Sequence, residues 1–384
     1  MSIVIDYTKG FFEAAPSGET VGDIATGTLD LATGNVFSYT PAADTTFVFS
    51  NPPATGTAYG MTLKVTGADV TAEYDIANAV YDSVSFSVAG QDTVPAGIFF
   101  KPDGTKMYVV GFSSRSVHQY TLSTAYDLST ASYDSVSFSF TAQSTGPVDI
   151  SFKPDGTKMY MLADSGDAVH QYSLSTAYDL STASYDSVSF SVAAQSTGPQ
   201  GFFFKPDGTK MYVATFSSGT IFQYALSTAF DLSTASYDSV SFSAVTQGTT
   251  ASSVQIRPDG LKMYILMAGN DTVYQYTLST AYDISTASYD SISFSLAVQD
   301  NAAYGVIFST DGTKMYMVGY TGDAVYQYTT GTATPATFTY PTAVDWPSAT
   351  APTAPATGET DVYTFYTTDG GTTYYGFQVG DAMA

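Results

Sequence analysis

A unit of 52 residues occurs five times between residues 74 and 328, and this repeat limits the possible folds more than any other feature of the sequence. The motif Pro-Asp-Gly-Thr-Lys-Met-Tyr begins at Pro102, Pro154 and Pro206, and variants of it begin at Pro258 and Thr310. No insertion or deletion interrupts the register. Periods of this length are typical of solenoids, propellers and arrays, in which each unit packs on its neighbours.

Each unit has the pattern of four β-strands, which we call A to D from the centre of the molecule outward. In the first unit, residues 97–101 and 106–111 are apolar runs separated by Pro-Asp-Gly-Thr, which favours a tight turn. Residues 117–122 and 133–140 supply two more strands, the last alternating Ser with Val and Phe. Four strands per unit predict one propeller blade, and the whole repeat predicts an all-β, five-bladed β-propeller.

The limits of the repeat predict how the ring closes. A D-type strand at residues 81–88 precedes the first complete unit, and the last unit ends after its C strand at Tyr328. Five complete blades form only if this first strand joins the last three, which is one-plus-three closure. The chain then enters and leaves the propeller on one face, that of the A–B and C–D loops.

Residues 101–109 and their four copies resemble the YVTN-type propeller repeats, in which a Ser-Pro-Asp-Gly-like turn precedes a strand of Val-Tyr-Val character. The resemblance implies the propeller fold. Such repeats host many functions, so it implies no particular activity.

The flanks of the repeat share its β-rich composition. Runs at residues 34–39, 45–50, 61–65, 361–367 and 374–379 have the character of strands. Neither flank alone would bury much apolar surface, and neighbouring ends of the propeller would let them fold together. We expect residues 1–67 plus 333–384 to form a split β-sandwich that serves as an assembly and anchor domain, with the propeller, residues 68–332, inserted in it.

The flanks resemble a module of bacteriophage tail-fibre-like and other virion proteins. The matching segments include Asn51-Pro52-Pro53, Asp345-Trp346-Pro347 and Asp369-Gly370-Gly371. In that family the strand at residues 61–65 runs almost directly into the Trp-Pro segment, whereas here about 270 residues, containing the propeller, intervene.

This resemblance implies a non-enzymatic phage virion structural protein, tail-fibre-like, that displays the propeller for host-surface recognition. Its expected partners are other virion proteins and a host-surface glycan or protein, its expected location is the virion assembled in the host cytoplasm, and a homo-oligomer is implied. A capsid decoration or knob protein is the alternative, because no coiled-coil heptads are visible. A glycan-active propeller enzyme is the second alternative. Against it, Asp149 is the only acid in the A strands, whereas glycoside hydrolysis commonly uses a carboxylate pair.

Charge and composition exclude several classes of partner. The formal net charge of -23 repels nucleic acid and anionic membrane surfaces, and the absence of cysteine excludes disulfides and thiolate metal sites. Residues 1–6 lack a basic segment followed by an apolar run, and no apolar stretch reaches bilayer length, so we expect neither a signal peptide nor membrane insertion.

Few side chains have the pattern of a chemical site. His118 and His170 occupy a position that holds Phe or Tyr in the other repeats, which indicates packing. Three Asp positions per repeat, beginning at Asp75, Asp82 and Asp103, could form cation-binding rings, but turn hydrogen bonds explain them more simply. The repeated Lys106-type residues indicate local pairing with Asp more than an anion site. We predict no catalytic residue, no cofactor and no metal site.

Differences between the five copies concentrate in the D–A and B–C loops, which share one face of a propeller. Variable loops on a rigid scaffold commonly carry binding, although drift would also diversify them. We expect this face, directed away from the flanking domain, to bind through Gln91, Asp92, Phe112, Arg115, Asp164, Asp167, Phe216, Asn270, Asp271, Asn301, Tyr304, Tyr320 and Asp323.

Overall fold

The protein divides into two compact units in a computed structural model that describes residues 4–6, 11–13, 21–24, 27–41, 44–67, 69–71, 73–330, 333–347, 349–356 and 358–383. The smaller unit comprises Met1–Thr71 and Ala333–Ala384, and the propeller unit comprises Ala72–Thr332. Residues 1–3 of the start segment and residues 68, 331 and 332 at the predicted domain limits lie outside the described residues. No helix of the described residues is long and apolar enough to cross a bilayer.

Short strands make up the N-terminal part of the smaller unit. They are β1 (Val4–Asp6), β2 (Phe11–Glu13), β3 (Val21–Asp23), β4 (Thr28–Asp30), β5 (Val36–Tyr39), β6 (Thr45–Thr46), β7 (Val48–Ser50), β8 (Tyr59–Thr66) and β9 (Asp69–Thr71).

The propeller unit consists of five four-stranded antiparallel sheets, so the predicted five-bladed propeller is confirmed. The strands of the first blade are β11 (Pro95–Phe100), β12 (Lys106–Gly111), β13 (Ser116–Leu122) and β14 (Ala131–Ser139). Those of the second are β15 (Pro147–Phe152), β16 (Lys158–Ala163), β17 (Ala168–Leu174) and β18 (Ala183–Ser191). Those of the third are β19 (Pro199–Phe204), β20 (Lys210–Thr215), β21 (Thr220–Leu226) and β22 (Ala235–Ser243). Those of the fourth are β23 (Ala251–Ile256), β24 (Lys262–Met267), β25 (Thr272–Leu278) and β26 (Ala287–Ser295).

The fifth blade closes the ring as predicted. Its strands A to C are β27 (Ala303–Phe308), β28 (Lys314–Gly319) and β29 (Ala324–Thr329), and its D strand is β10 (Val80–Ser87) from the start of the propeller. The two ends meet beside the A–B turn of this blade, where the Tyr74 amide donates to the Gly312 carbonyl and the Thr330 amide donates to the Thr313 carbonyl. The chain therefore enters and leaves on one face.

Each blade is joined to the next through a buried tyrosine of its B strand. The phenol oxygen donates to a backbone carbonyl of the following blade at 2.5 to 2.8 Å. The donor and acceptor pairs are Tyr108 with Tyr178, Tyr160 with Phe230, Tyr212 with Tyr282, Tyr264 with Tyr74 and Tyr316 with Tyr126. All five rings are 2% exposed or less, so each junction combines a large apolar contact with one satisfied polar group.

A polar network on the outer strands is also copied from blade to blade. In the first blade, Asp134 of the D strand accepts from Lys106 Nζ at 3.0 Å and from Gln119 Nε2 at 2.8 Å. Burial raises the pKa of Asp134, but these hydrogen bonds outweigh burial and hold that pKa below its ordinary value. Gln119 Oε1 also accepts from the Leu180 amide of the next blade at 3.1 Å. The turn role expected for the second ring of Asp residues is therefore wrong: these residues lie on the D strands and pair with Lys and Gln within the blades.

A short 3-10 helix precedes each D strand. An Asp side chain accepts from a backbone amide at the start of each helix, which is the turn role inferred for the first ring. The helices are Ile76–Asn78, Leu128–Thr130, Leu180–Thr182, Leu232–Thr234 and Ile284–Thr286.

The smaller unit is built from both flanks. Its C-terminal strands are β30 (Ala333–Pro335), β31 (Phe338–Thr339), β32 (Val344–Asp345), β33 (Thr360–Thr367) and β34 (Tyr374–Met383). One six-stranded sheet has the order β3-β5-β8-β33-β34-β32, and its core includes Phe37, Leu63, Trp346 and Tyr363. The other described strands form two-stranded pairs, β1 with β2, β4 with β7, β6 with β31 and β9 with β30. The predicted sandwich of two sheets is not confirmed for the described residues.

Candidate functional site

The five A strands surround the centre of the propeller, each contacting the A strands of both neighbouring blades. One position near the start of each A strand is equivalent in all five blades, and it is occupied by Gly97, Asp149, Gly201, Ser253 and Gly305. There is little room here. A Cβ added at Gly97 would lie 2.6 Å from the Asp149 Cα, and one at Gly201 would lie 2.4 Å from the Ser252 carbonyl oxygen. Small residues in the other blades thus let one larger carboxylate occupy this level of the channel.

Asp149 is the polar group with the strongest potential for chemistry. Its Oδ1 accepts from the Ile150 amide at 2.8 Å and its Oδ2 accepts from the Phe202 amide of the next blade at 2.9 Å. Burial raises the pKa of Asp149 to about 7, and the two backbone hydrogen bonds oppose that rise. The side chain is half-buried. A carboxyl group with a pKa raised in this way suits the role of a general base at neutral pH.

A pocket of about 380 Å³ lies next to this level, on the face of the D–A and B–C loops. Two sets of equivalent residues contribute to it, one at the start of the A strands and one directly after the B strands. The lining residues are Val94, Pro95, Ala96, Phe112, Asp164, Gln200, Phe216, Tyr304 and Tyr320. Ala96 and Gln200 are each one residue before the level of Asp149, a rise of about 3.3 Å along a strand. The pocket therefore lies at the loop end of the A strands, a place we call the mouth of the channel, and Asp149 itself does not line it.

The walls of the pocket are aromatic. The rings of Phe216 and Tyr304 lie parallel, with centroids 6.2 Å apart and an interplanar angle of 2°, and Tyr320 meets Tyr304 edge to face at 6.2 Å. The polar lining residues are Gln200 and Asp164, and burial raises the pKa of Asp164. Among the described residues that line the pocket there is no Lys, Arg or His. This arrangement suits a small neutral molecule with C–H faces and hydroxyl groups better than an anion.

Five of the thirteen residues predicted to bind surround this one pocket, namely Phe112, Asp164, Phe216, Tyr304 and Tyr320. Sequence comparison found them because they differ between copies. It missed Gln200, although the equivalent positions hold Ala96, Val148, Ser252 and Tyr304 and so vary just as much. It named Asp149 but discounted it. The binding role of the predicted residues stays a prediction.

Several other predicted residues shape the loops. Asp92 is 5% exposed and accepts from the Val94 amide at 2.6 Å and the Ser114 amide at 2.5 Å. Gln91 accepts from the Tyr120 hydroxyl at 3.3 Å, and every copy of that position is Gln, so it is a packing residue. Asp271 accepts from the buried Ala303 amide at 2.9 Å.

The remaining predicted residues lie in the B–C and D–A loops. Arg115, Asp167, Asp271 and Asp323 share one turn position with positive φ, where Asp is tolerated better than most residues and the third blade has Gly219. Asn270 donates to the Tyr274 hydroxyl at 2.9 Å, and Asn301 accepts from the Thr321 hydroxyl at 2.7 Å.

The histidines and the third ring of Asp residues have structural surroundings. His118 is 7% exposed, packs edge to face on Tyr133, and has its pKa lowered by burial. Asp103 accepts from the Thr105 amide at 3.0 Å, as the turn interpretation predicts. The described residues contain no group of three or more His, Asp or Glu side chains placed to hold a metal ion.

The repeat region matches a known family in part. Residues 149–292 match the family described as "Lactonase, 7-bladed beta-propeller". The match covers less than half of the chain, and the five blades seen here differ from the seven in that description. None of the curated proteins matches the chain significantly.

Some solved structures are distantly similar. A protein of Bacteroides uniformis provisionally described as a 6-phosphogluconolactonase is 14% identical, with 63% of this chain and 70% of that chain covered and a TM-score of 0.39. A protein of unknown function from Desulfotomaculum acetoxidans is 14% identical, with 59% and 79% covered and a TM-score of 0.39. Sqt1 of Chaetomium thermophilum is 15% identical, with 61% and 57% covered and a TM-score of 0.36. Similarities this weak indicate neither blade number nor function.

The lactonase match corrects the functional prediction. A non-enzymatic phage virion protein, whether tail-fibre-like or a capsid decoration, is wrong, because the family that matches the repeats is a family of enzymes. The propeller part of the predicted resemblance is confirmed, whereas a phage or virion origin has no support. The partners, the homo-oligomer and the location expected from that origin stay untested predictions.

Proposed function

We propose that this protein is a propeller hydrolase that opens a small, neutral cyclic ester bound at the mouth of the central channel. The observation that carries the proposal is the Asp149 carboxyl group, with a pKa of about 7, one residue below an aromatic pocket. The partial match to a lactonase family supports the same reaction class. Hydrolysis of a lactone requires one general base, so a single carboxylate is sufficient where a glycosidase commonly needs two.

The chain's own residues account for the proton transfers of this reaction. Asp149 accepts a proton from a water molecule in the channel as the water oxygen bonds to the lactone carbonyl carbon. The ring C–O bond then breaks, and the proton passes from Asp149 to the alkoxide that leaves. The amides of Ile150 and Phe202 hold the carboxylate through both steps. They also stabilise its ionised form, which opposes the effect of burial on its pKa.

The pocket selects the charge of the substrate. Phe216, Tyr304 and Tyr320 offer flat apolar surface to the C–H faces of a ring, and the Gln200 amide can donate to or accept from a hydroxyl group. Asp164 at the same mouth repels an anion, and the lining provides no cation to offset that repulsion. A phosphorylated lactone is therefore disfavoured, although a structurally similar protein bears the name of such an enzyme.

We expect the enzyme to prefer glucono-1,5-lactone over its 6-phosphate by at least about tenfold in kcat/KM, because the phosphate dianion meets Asp164 without a compensating cation. Acid release would be followed at constant pH, with the spontaneous hydrolysis of each lactone subtracted. No rate above the spontaneous one for any neutral lactone would contradict the proposed reaction. Equal or better hydrolysis of the phosphate would contradict the substrate class alone.

A further inference from the structure

The A–B turns of the first four blades each carry a cation that the fifth blade lacks. The residue before the Pro-Asp-Gly motif is Lys101, Lys153, Lys205 and Arg257 in turn, and it is Ser309 in the last copy. Each of the four cations pairs with the Asp of its own turn. The Lys–Asp distances are 2.6 Å for Lys101 with Asp103 and 2.7 Å in the next two blades, and Arg257 pairs with Asp259.

Two of these cations also approach an aromatic ring of the following blade. Lys101 Nζ lies 5.7 Å from the centroid of Tyr178, and Lys205 Nζ lies 5.1 Å from that of Tyr282. Both distances are within the range at which the negative face of the ring attracts a cation. At these two junctions an ammonium group thus lies between a carboxylate on one blade and a tyrosine on the next.

The junction between the fifth and first blades keeps the carboxylate and the tyrosine but has lost the cation. Ser309 is 1% exposed, and its hydroxyl donates to Asp311 Oδ1 at 2.6 Å. The serine side chain is too short to reach the ring of Tyr126. A cavity of about 470 Å³ lies between these two blades, and its lining includes Tyr126, Asp127, Asp311 and Lys314 but not Ser309. Within the described part of the chain Asp311 forms no ion pair, and Lys314 is already bonded to Asp82 at 2.7 Å.

We propose that this fifth junction binds the alkylammonium group of a ligand, in the place where the other junctions hold a side-chain cation of the protein itself. Asp311 supplies the ion pair, the face of Tyr126 supplies the cation–π contact, and Asp127 adds a second negative charge at the rim. The equivalent groups around Lys101 and Lys205 already perform this recognition in the same molecule. The net charge of -23 further attracts cations toward the surface.

The test transfers the site from one junction to another. Two probes would be titrated by ligand-observed NMR, with n-butanol as the uncharged control. n-Butylammonium represents a free amine, and N-acetyl-lysine methylamide represents a lysine side chain of a protein. Since exposed cation–π and ion-pair contacts are individually weak, we expect dissociation constants on the order of millimolar for the wild type. The probe that binds more tightly identifies the source of the ligand.

Ser309→Lys places the protein's own ammonium group in the slot, so we expect it to weaken binding at least about tenfold while the fold is retained, because four other turns accept a cation there. Adding Lys101→Ser to that variant vacates the slot formed by Asp103 and Tyr178, and binding is expected to return to the wild-type level. Unchanged binding in the single variant, or no recovery in the double variant, would overturn the proposal. Lactone hydrolysis is unaffected by either result, because the channel mouth is on the opposite loops.

Discussion

Asp149→Asn is expected to lower kcat/KM for a neutral lactone by about 10²- to 10⁴-fold, the contribution typical of a positioned general base. The asparagine has nearly the same shape but cannot accept a proton from water at neutral pH. One of its two terminal groups can still accept from a backbone amide, so the channel geometry should be largely retained. The rate constants would be measured with purified protein at constant pH, together with the KM, which we expect to change little.

The pH profile provides a second readout of the same group. Only the ionised carboxylate is a base, and the pKa of Asp149 is raised to about 7, so kcat/KM should rise as pH passes through about 7 and level off above it. A carboxylate at its ordinary pKa would already be fully ionised there and would give a flat profile. Asp149→Asn should remove this pH dependence together with the activity.

Ser253→Ala is the matched control, because Ser253 occupies the equivalent position in the fourth blade. Its hydroxyl donates to the Val306 carbonyl at 3.1 Å, so it too links one blade to the next, but it has no role as a base. The alanine variant should keep most of the wild-type activity. If both variants lost activity equally, Asp149 would act only as a link between blades, and the proposed mechanism would be wrong.

Tyr160→Ala is expected to lower the free energy of unfolding of the propeller unit by about 3–5 kcal/mol, the usual cost of removing a fully buried aromatic ring. The ring is fully buried, lies 4.7 Å from that of Phe204, and donates to the Phe230 carbonyl at 2.5 Å. Its removal leaves a cavity and an unsatisfied carbonyl group at the junction of the second and third blades.

Tyr160→Phe separates these two contributions. It keeps the ring and removes only the donor, so we expect a loss of about 1–3 kcal/mol from the unpaired buried carbonyl. Denaturant unfolding should be followed by the near-ultraviolet circular dichroism of tyrosine, while the fluorescence of the single Trp, Trp346, reports on the smaller unit. A smaller effect for the alanine variant than for the phenylalanine variant would contradict this account of the junctions.

The repeat made the candidate site partly predictable. Phe112, Asp164, Phe216, Tyr304 and Tyr320 stand out because loops that do not support the blade can vary while the strands cannot. The same comparison also selected Asp92 and Asp271, whose carboxylates bind backbone amides. Both kinds of residue vary between copies, and only the direction of the side chain separates a residue that lines a pocket from one that stabilises its loop.

Asp149 shows where sequence reasoning ended. Its uniqueness among the A strands was visible, but the expectation of a carboxylate pair made it an argument against catalysis. Burial raises the pKa of Asp149 to about 7 against the opposing hydrogen bonds from the Phe202 and Ile150 amides, and the blades that bury it are distant from Asp149 in sequence. A single base suits lactone hydrolysis, so the same residue now supports an enzyme.

The sequence by itself determined the five blades, their strand order and the one-plus-three closure, because an uninterrupted 52-residue period permits one way of completing the ring. It could not determine the pocket at the channel mouth or the cavity between the fifth and first blades. The pocket depends on which residues of different blades meet around the channel, and the cavity depends on which residues meet between two neighbouring blades. The closure of the five blades around a narrow channel decides that arrangement. It places side chains from different blades in contact, so the size and charge of each one affect its neighbours.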